Sequence, residues 1–272
     1  MTKGEKARSE ILALRNRSPP GKVEVWELDM SKYSSVLAFG DRLRTLSRLD
    51  VLIANAGIDT NQFERFEGCE STITVNVIST FLLAMLATPK LRETSVTKTT
   101  SSHLVVTGSV VHIFAKHKQL STPRLGQIFA TLSDESTADM SDRYYLSKLI
   151  VLLGVRQLAI MISRSAEIDH SSVILNCVNP GWCKTELFRT NDGGFGGRIG
   201  LRLIGRTAEE GSRTLVHAAV AEKPTHGKYV SDCRIKPESS WVRSEESSQV
   251  EERLWIELLD ILEGIRPGVT NL

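Results

Sequence analysis

Short continuous apolar runs alternate along the chain with longer stretches in which apolar residues recur every three or four positions. Lys3 to Arg15 sets Ala7, Ile11, Leu12 and Leu14 among charged residues and predicts a helix, which Pro19-Pro20-Gly21 stops. Val23 to Leu28 predicts a short strand, and Asp29-Met30-Ser31 supplies caps for a helix reaching about Leu46. Leu49 to Ala54 is apolar throughout, the pattern of a strand buried on both faces. A helix is expected from about Ser71 to Leu91, a strand from Leu104 to Thr107, and a second long helix from Tyr144 to Ile162. Val173 to Val178 reads as a strand ending at Asn179-Pro180-Gly181. A helix over Ala208 to Ala221, a short strand over Lys228 to Asp232 and a closing helix over Gln249 to Ile265 complete the series.

Strands alternating with helices predict an α/β fold, a doubly wound parallel sheet covered on both faces. In that class, ligands bind beyond the carboxyl ends of the strands. With no internal repeat and no long linker, residues 1–272 are expected to form a single domain. Pro123 to Asp142 is polar and reads as an inserted loop, and Thr190 to Gly200 as a glycine-rich mobile segment.

Composition narrows the function classes. A hydrophobic fraction of 41% and a charged fraction of 24% suit an ordinary globular protein. The net charge of +2 argues against nucleic acid or an anionic membrane surface as a partner. Cys69, Cys177, Cys183 and Cys233 contain no CxxC pair, so neither a zinc site nor a disulfide framework is expected. The charged start Met1 to Lys6 is unlike a secretory signal. Arg156 and Gln157 interrupt the apolar stretch Ile150 to Ile162, so no membrane span is expected and the cytoplasm is the default location.

The strongest chemical signal is Tyr144-Tyr145-Leu146-Ser147-Lys148. Tyr144 and Lys148 stand four apart on a helix and share a face. An ammonium beside a phenol favours the phenolate, so the pair can exchange a proton with an alcohol or carbonyl oxygen during hydride transfer. Alone the pattern is common. It is accompanied by Asn55-Ala56-Gly57 ending a buried strand, Asn76 on a helix, Thr107-Gly108-Ser109 after a strand, and Asn179-Pro180-Gly181-Trp182-Cys183-Lys184-Thr185 after another.

That order of motifs resembles the short-chain dehydrogenase/reductase family. The resemblance implies a Rossmann-type sheet, a nicotinamide cofactor (NADP, with NAD possible) and a small-molecule carbonyl or alcohol substrate. By position, Tyr144 resembles the general acid/base. Lys148 resembles the residue that lowers its pKa and binds the nicotinamide ribose, Ser109 the one that holds the substrate oxygen, and Asn76 the one that places a water. Asn55 resembles the cofactor-side turn residue, Asp29 the acid contacting adenine, and Thr185 the hydroxyl near the carboxamide. A homo-oligomer is usual for the family. The long stretch between Ser109 and Tyr144, with His226 to Cys233, is similar to the retinol-dehydrogenase-like branch and to fungal reductases of secondary metabolism.

One family motif is missing from the sequence. The family opens with a strand, the phosphate loop TGxxxGxG, a helix and a second strand, and this chain starts at what resembles the family's third helix. The fold is therefore expected to be N-terminally truncated, without its first βαβ unit. Gly193-Gly194-Phe195-Gly196-Gly197 follows no predicted strand and reads as a flexible loop. Losing two or three charge-assisted hydrogen bonds would remove roughly 3–9 kcal/mol of cofactor affinity. An alternative expectation is accordingly a non-catalytic remnant or interaction protein.

Overall fold

The computed structural model describes residues 2–14, 21–183 and 206–272. Four strands, β1 (Val51–Ala54), β4 (Ser102–Thr107), β5 (Val173–Asn179) and β6 (Lys228–Ser231), lie parallel in the order β1-β4-β5-β6. β7 (Arg234–Ile235) pairs antiparallel to β6 at the far edge. A separate hairpin joins β2 (Arg65–Phe66) to β3 (Cys69–Glu70). Its two-residue turn, Glu67-Gly68, has φ of 53° and 86°, the left-handed pair that matches the twist of a hairpin.

The helices are α1 (Lys3–Leu14), α2 (Tyr33–Arg44), α3 (Ser71–Ile73), α4 (Thr80–Lys98), α5 (Lys118–Ser121), α6 (Ile128–Leu132), α7 (Arg143–Asp169), α8 (Ala208–Ala218) and α9 (Glu245–Ile265). One face of the sheet is covered by α4 and α7, with α2 and α9 packed outside them. α8 covers the other face through a small cluster of Val105, Val178, Ala218 and Val230. Helices on both faces of a mostly parallel sheet give the expected doubly wound α/β, Rossmann-type architecture.

Two helical stretches, Ser71–Lys98 and Arg143–Ile168, have mean hydropathies of 1.6 and 1.7 and are long and apolar enough to cross a bilayer. This differs from the expectation that the apolar stretches are too short. Their most apolar windows are 100% and 72% buried inside the protein, because both helices lie between the sheet and an outer helix. A helix apolar on all sides is what that middle position requires.

Three further expectations are corrected. Residues 21–29 form no strand, since among the described residues no strand pairs with them and an extended segment without a ladder is not a sheet. β1 is not buried on both faces. Among the described residues it is hydrogen-bonded only to β4, and Ile53 is 39% exposed at this open edge. The insert over 123–142 is more than a polar loop, because it contains α6 and buries Ile128, Phe129 and Leu132 in the main core. Thr190 to Gly200 lies outside the described residues.

Candidate active site

The parallel strands end at Ala54, Thr107, Asn179 and Ser231, and the polar motifs stand immediately beyond them. Asn55 leaves β1 and its Oδ1 accepts a 3.0 Å hydrogen bond from Thr107 Oγ1 at the end of β4. Gly57 follows, where an added Cβ would stand 3.1 Å from Asn76 Oδ1 and 3.7 Å from Lys148 Nζ. The absence of a side chain there lets the turn lie against both groups.

Asn76 sits in a π-helical turn, Thr74–Ser79, that joins α3 to α4. Wide turns of this kind occur often at functional sites, where the extra residue re-aims a side chain. The Asn76 carboxamide accepts from Ile58 N at 2.8 Å, donates to Ile58 O at 2.9 Å and donates to Ser147 Oγ at 3.0 Å. Ser147 in turn donates to the Tyr144 carbonyl at 2.7 Å, so Asn76 is tied to the first turn of α7.

Tyr144 and Lys148 share one face of α7, and Lys148 Nζ lies 5.8 Å from the centre of the Tyr144 ring. Both are buried, and Nζ donates to the Thr107 carbonyl at 2.8 Å. Burial pushes the Lys148 ammonium down to about 8, with a nearby Cys177 opposing the shift. Burial also raises the Tyr144 phenol above its ordinary value, helped by the charge of Asp59, while a hydrogen bond with Ser109 pulls the other way. The expected lowering of the phenol by Lys148 is thus not found. With its ammonium turned to Thr107 and itself starved of water, Lys148 does not outweigh the cost of a buried phenolate.

Ser109 begins the 3₁₀ turn Val110–Phe114 and its Oγ accepts from Val111 N at 3.3 Å. His112 Nδ1 meets the Ser109 carbonyl at 2.7 Å, and Asn179 Oδ1 accepts from Val110 N at 3.1 Å. The loop carrying Ser109 is therefore latched to the end of β5. Asn179, Thr107 and Ser147 were not singled out as site residues in the sequence. Their signal was position, a hydrogen-bonding side chain at a strand end or inside the Tyr-x-x-x-Lys turn.

Tyr144, Lys148, Ser109, Asn76 and Asn55 are thus brought into one hydrogen-bonded neighbourhood. Asp29 is engaged locally instead. Its Oδ1 accepts from Ser31 N at 3.0 Å and Ser31 Oγ at 2.6 Å, and these bonds hold its carboxyl below the usual range. The next residue, Met30, accepts from Ser79 Oγ at 2.7 Å, which fixes this turn at the end of the Asn76 helical turn. Thr185 lies outside the described residues. A cleft of about 530 Å³ lined by Asp50, His103 and Lys223 opens at the amino ends of the strands, the opposite end from Ser109.

A Rossmann-type sheet with a buried Tyr–Lys pair and a strand-end serine defines a class of nicotinamide-dependent oxidoreductases, and comparison with known proteins agrees. Residues 2–120 match the pattern of the short chain dehydrogenase family. A short chain dehydrogenase/reductase of the fungus Cryptosporiopsis sp. is 42% identical over 278 residues, spanning 100% of this chain and 82% of that protein. A short chain dehydrogenase of Emericella nidulans is 41% identical, over 85% of this chain and 73% of its own length. Among solved structures, an uncharacterised Mycobacterium paratuberculosis protein superimposes with a TM-score of 0.63 at 23% identity, covering 94% of this chain and 81% of its own. The chain belongs to the short-chain dehydrogenase/reductase family. It is an oxidoreductase, and the family's cofactor is a nicotinamide dinucleotide and its substrates small molecules.

The described residues fit the nicotinamide-ribose half of such a cofactor. Lys148 spends one of its three N–H donors on Thr107, Asn55 is exposed at the strand end, and Gly57 brings the turn close to Asn76 and Lys148. The pyrophosphate half has no TGxxxGxG counterpart in the sequence.

Proposed function

We propose that this protein interconverts a carbonyl and an alcohol on a small hydrophobic molecule, using NADP(H) in preference to NAD(H), within a fungal secondary-metabolic route. The observation that carries this reading is the convergence of Tyr144, Lys148, Ser109 and Asn76, four side chains from three separate elements, beyond the carboxyl end of β4. The nicotinamide supplies or accepts the hydride. Burial keeps Tyr144 protonated, the form a general acid needs before it protonates the oxygen of a reduced carbonyl. Ser109 orients that oxygen, and Lys148 binds the nicotinamide ribose beside Asn55. Asn76 keeps the Ile58 turn and α7 in register, and Thr185 and Asp29 take the carboxamide and adenine ends. Similarity to an NADPH-bound carbonyl reductase from chicken, TM-score 0.55 at 18% identity over 86% of this chain and 83% of its own, supports the fold. The choice of NADP(H) follows the branch that the sequence resembles.

The proposal includes a single cytoplasmic domain, assembled as a homo-oligomer. The single domain is supported by the continuous main core, and the homo-oligomer follows the family that the sequence resembles. A second reading, a non-catalytic interaction protein, is favoured by the edge of β1, which among the described residues is paired on one side only. Turnover of a carbonyl panel with NADPH and NADH separates the two. Activity abolished by Tyr144→Phe establishes the enzyme, and an inert chain that binds neither nucleotide establishes the alternative.

A further inference from the structure

Arg143, the residue before Tyr144, is fully buried, and so is Glu70, the residue before α3. Arg143 Nε stands 3.4 Å from Glu70 Oε2. Among the described residues Glu70 is the ion-pair partner of this guanidinium, and none of its three nitrogens makes a hydrogen bond. The carboxylate is fully engaged. It accepts from Ser71 Oγ at 3.0 Å, Thr72 N at 2.8 Å and Ile73 N at 3.2 Å, and so caps the helix that reaches Asn76 six residues later. Each partner therefore sits at the start of one helix of the candidate site: Glu70 before the helix of Asn76, Arg143 on the helix of Tyr144 and Lys148.

A buried charge pair of this kind is a poor device for stability, because removing two ions from water costs about as much as their attraction returns. Its value lies in placement. A carboxylate already held by two backbone amides stays close to the guanidinium only while the two helix starts keep their relative position, and in a low-dielectric interior the attraction lost on separation is large.

We propose that Glu70 and Arg143 are positioning residues that set Asn76 against Tyr144 and Lys148 by locking the starts of their two helices together. The inference rests on the catalytic reading of those three residues. The Asn76–Ser147–Tyr144 hydrogen bonds are the second tie between the same helices, and they depend on the first, since a 3.0 Å bond does not survive a slide of an ångström.

The test is the double variant Glu70→Gln/Arg143→Met, which removes both charges and leaves neither stranded. With the fold checked by circular dichroism, kcat is expected to fall about tenfold to a hundredfold at unchanged KM for cofactor, as a misplacement of about 1 Å does. Amide exchange in peptides covering 70–79 and 143–148 is expected to quicken together by about tenfold, with β4 unchanged. Wild-type kcat with unchanged exchange would overturn the proposal. Glu70→Asp keeps the charge but withdraws it by about one bond length, roughly 1.5 Å, and carries the test if the double variant does not fold. Loss of kcat in a folded Glu70→Asp protein supports the lock, and full kcat overturns it. A parent chain that is inert, yet whose two peptides loosen together in the double variant, would remove the catalytic reading and keep the coupling. A parent silenced by Tyr144→Phe but indifferent to the double variant would do the reverse.

Discussion

Lys148 Nζ donates to the carbonyl oxygen of Thr107 at 2.8 Å, across from the end of β4, and does so from a buried position. Burial opposes its charge and brings its pKa down to about 8, against about 10.4 for a lysine in an unfolded chain. Between those two values the unfolded state binds a proton that the native state has released. Stability from this group therefore rises with pH across that window, and the penalty for a buried ammonium is fully present below it. Replacing Lys148 by Met removes the titration. The stability difference between wild type and Lys148→Met is expected to shift in favour of wild type by about 3 kcal/mol from pH 7.5 to 10.5, read by urea unfolding. A difference independent of pH would show that the ammonium is not buried as the geometry has it.

The approach of α7 to α4 is set by Gly154 against Phe81. A Cβ on Gly154 would lie 2.4 Å from Phe81 Cζ, inside any real contact, and Phe81 is itself fully buried edge-on to Trp255. Gly154→Ala gains about 1 kcal/mol of helix propensity but is expected to lose about 1–3 kcal/mol to overpacking. Phe81→Leu opens the space, so the double variant Gly154→Ala/Phe81→Leu should be more stable than the sum of the singles by about 1 kcal/mol in thermal or urea unfolding. Simple additivity would mean that the helices separate at no cost.

Much of this arrangement was legible in the sequence, and the failures share one cause. The strands over β4, β5 and β6 and the helix of Tyr144 were readable because apolar runs and the four-residue spacing are local signals. So were five of the candidate residues, which lie at strand ends or on helices next to them. Val23 to Leu28 has the composition of a strand, but a strand exists only through its neighbour, and the described residues supply none. The double-sided burial expected of Leu49 to Ala54 failed for the same reason, since Ile53 faces an open edge. The pKa of Tyr144 followed burial rather than the spacing to Lys148, and burial is a property of the whole fold. Glu70 and Arg143 were invisible as a pair because they are 73 positions apart.

Glu257 shows how the insert is held. From α9 it accepts from Gly126 N at 2.7 Å, Ile128 N at 2.8 Å and Phe129 N at 3.3 Å, gathering three amides at the start of α6. Glu257→Ala leaves those donors without a partner and is expected to cost about 3 kcal/mol. The loss should be local. Limited proteolysis ought to cut first within 118–140, while exchange in β4 and β5 stays slow. Uniform loss of protection across the sheet would show instead that the insert and the core unfold as one unit.

His226 offers a test from the acid side. Leu175 N donates to its Nδ1 at 3.1 Å, so that nitrogen carries no proton, and Nε2 lies 3.0 Å from the Ala159 carbonyl on α7. The ring thus joins the middle of β5 to α7, with Gly227 N returning a 2.7 Å bond to the Leu175 carbonyl. Burial holds the imidazole pKa below its ordinary value, reinforced by Lys223 and opposed by the bond to Ala159. Protonation would also set an N–H against the N–H of Leu175. Because the native pKa is depressed, the unfolded chain takes up the proton first as pH falls below about 6.5. Stability from His226 is therefore present above that value and is lost as pH drops towards the native pKa, by at most about 1.4 kcal/mol for each pH unit. His226→Asn keeps an acceptor near the Nδ1 position but does not titrate. Its stability should decline less steeply than that of wild type between pH 7 and pH 5 in urea unfolding, and parallel slopes would mean that Leu175 is not held by a neutral imidazole.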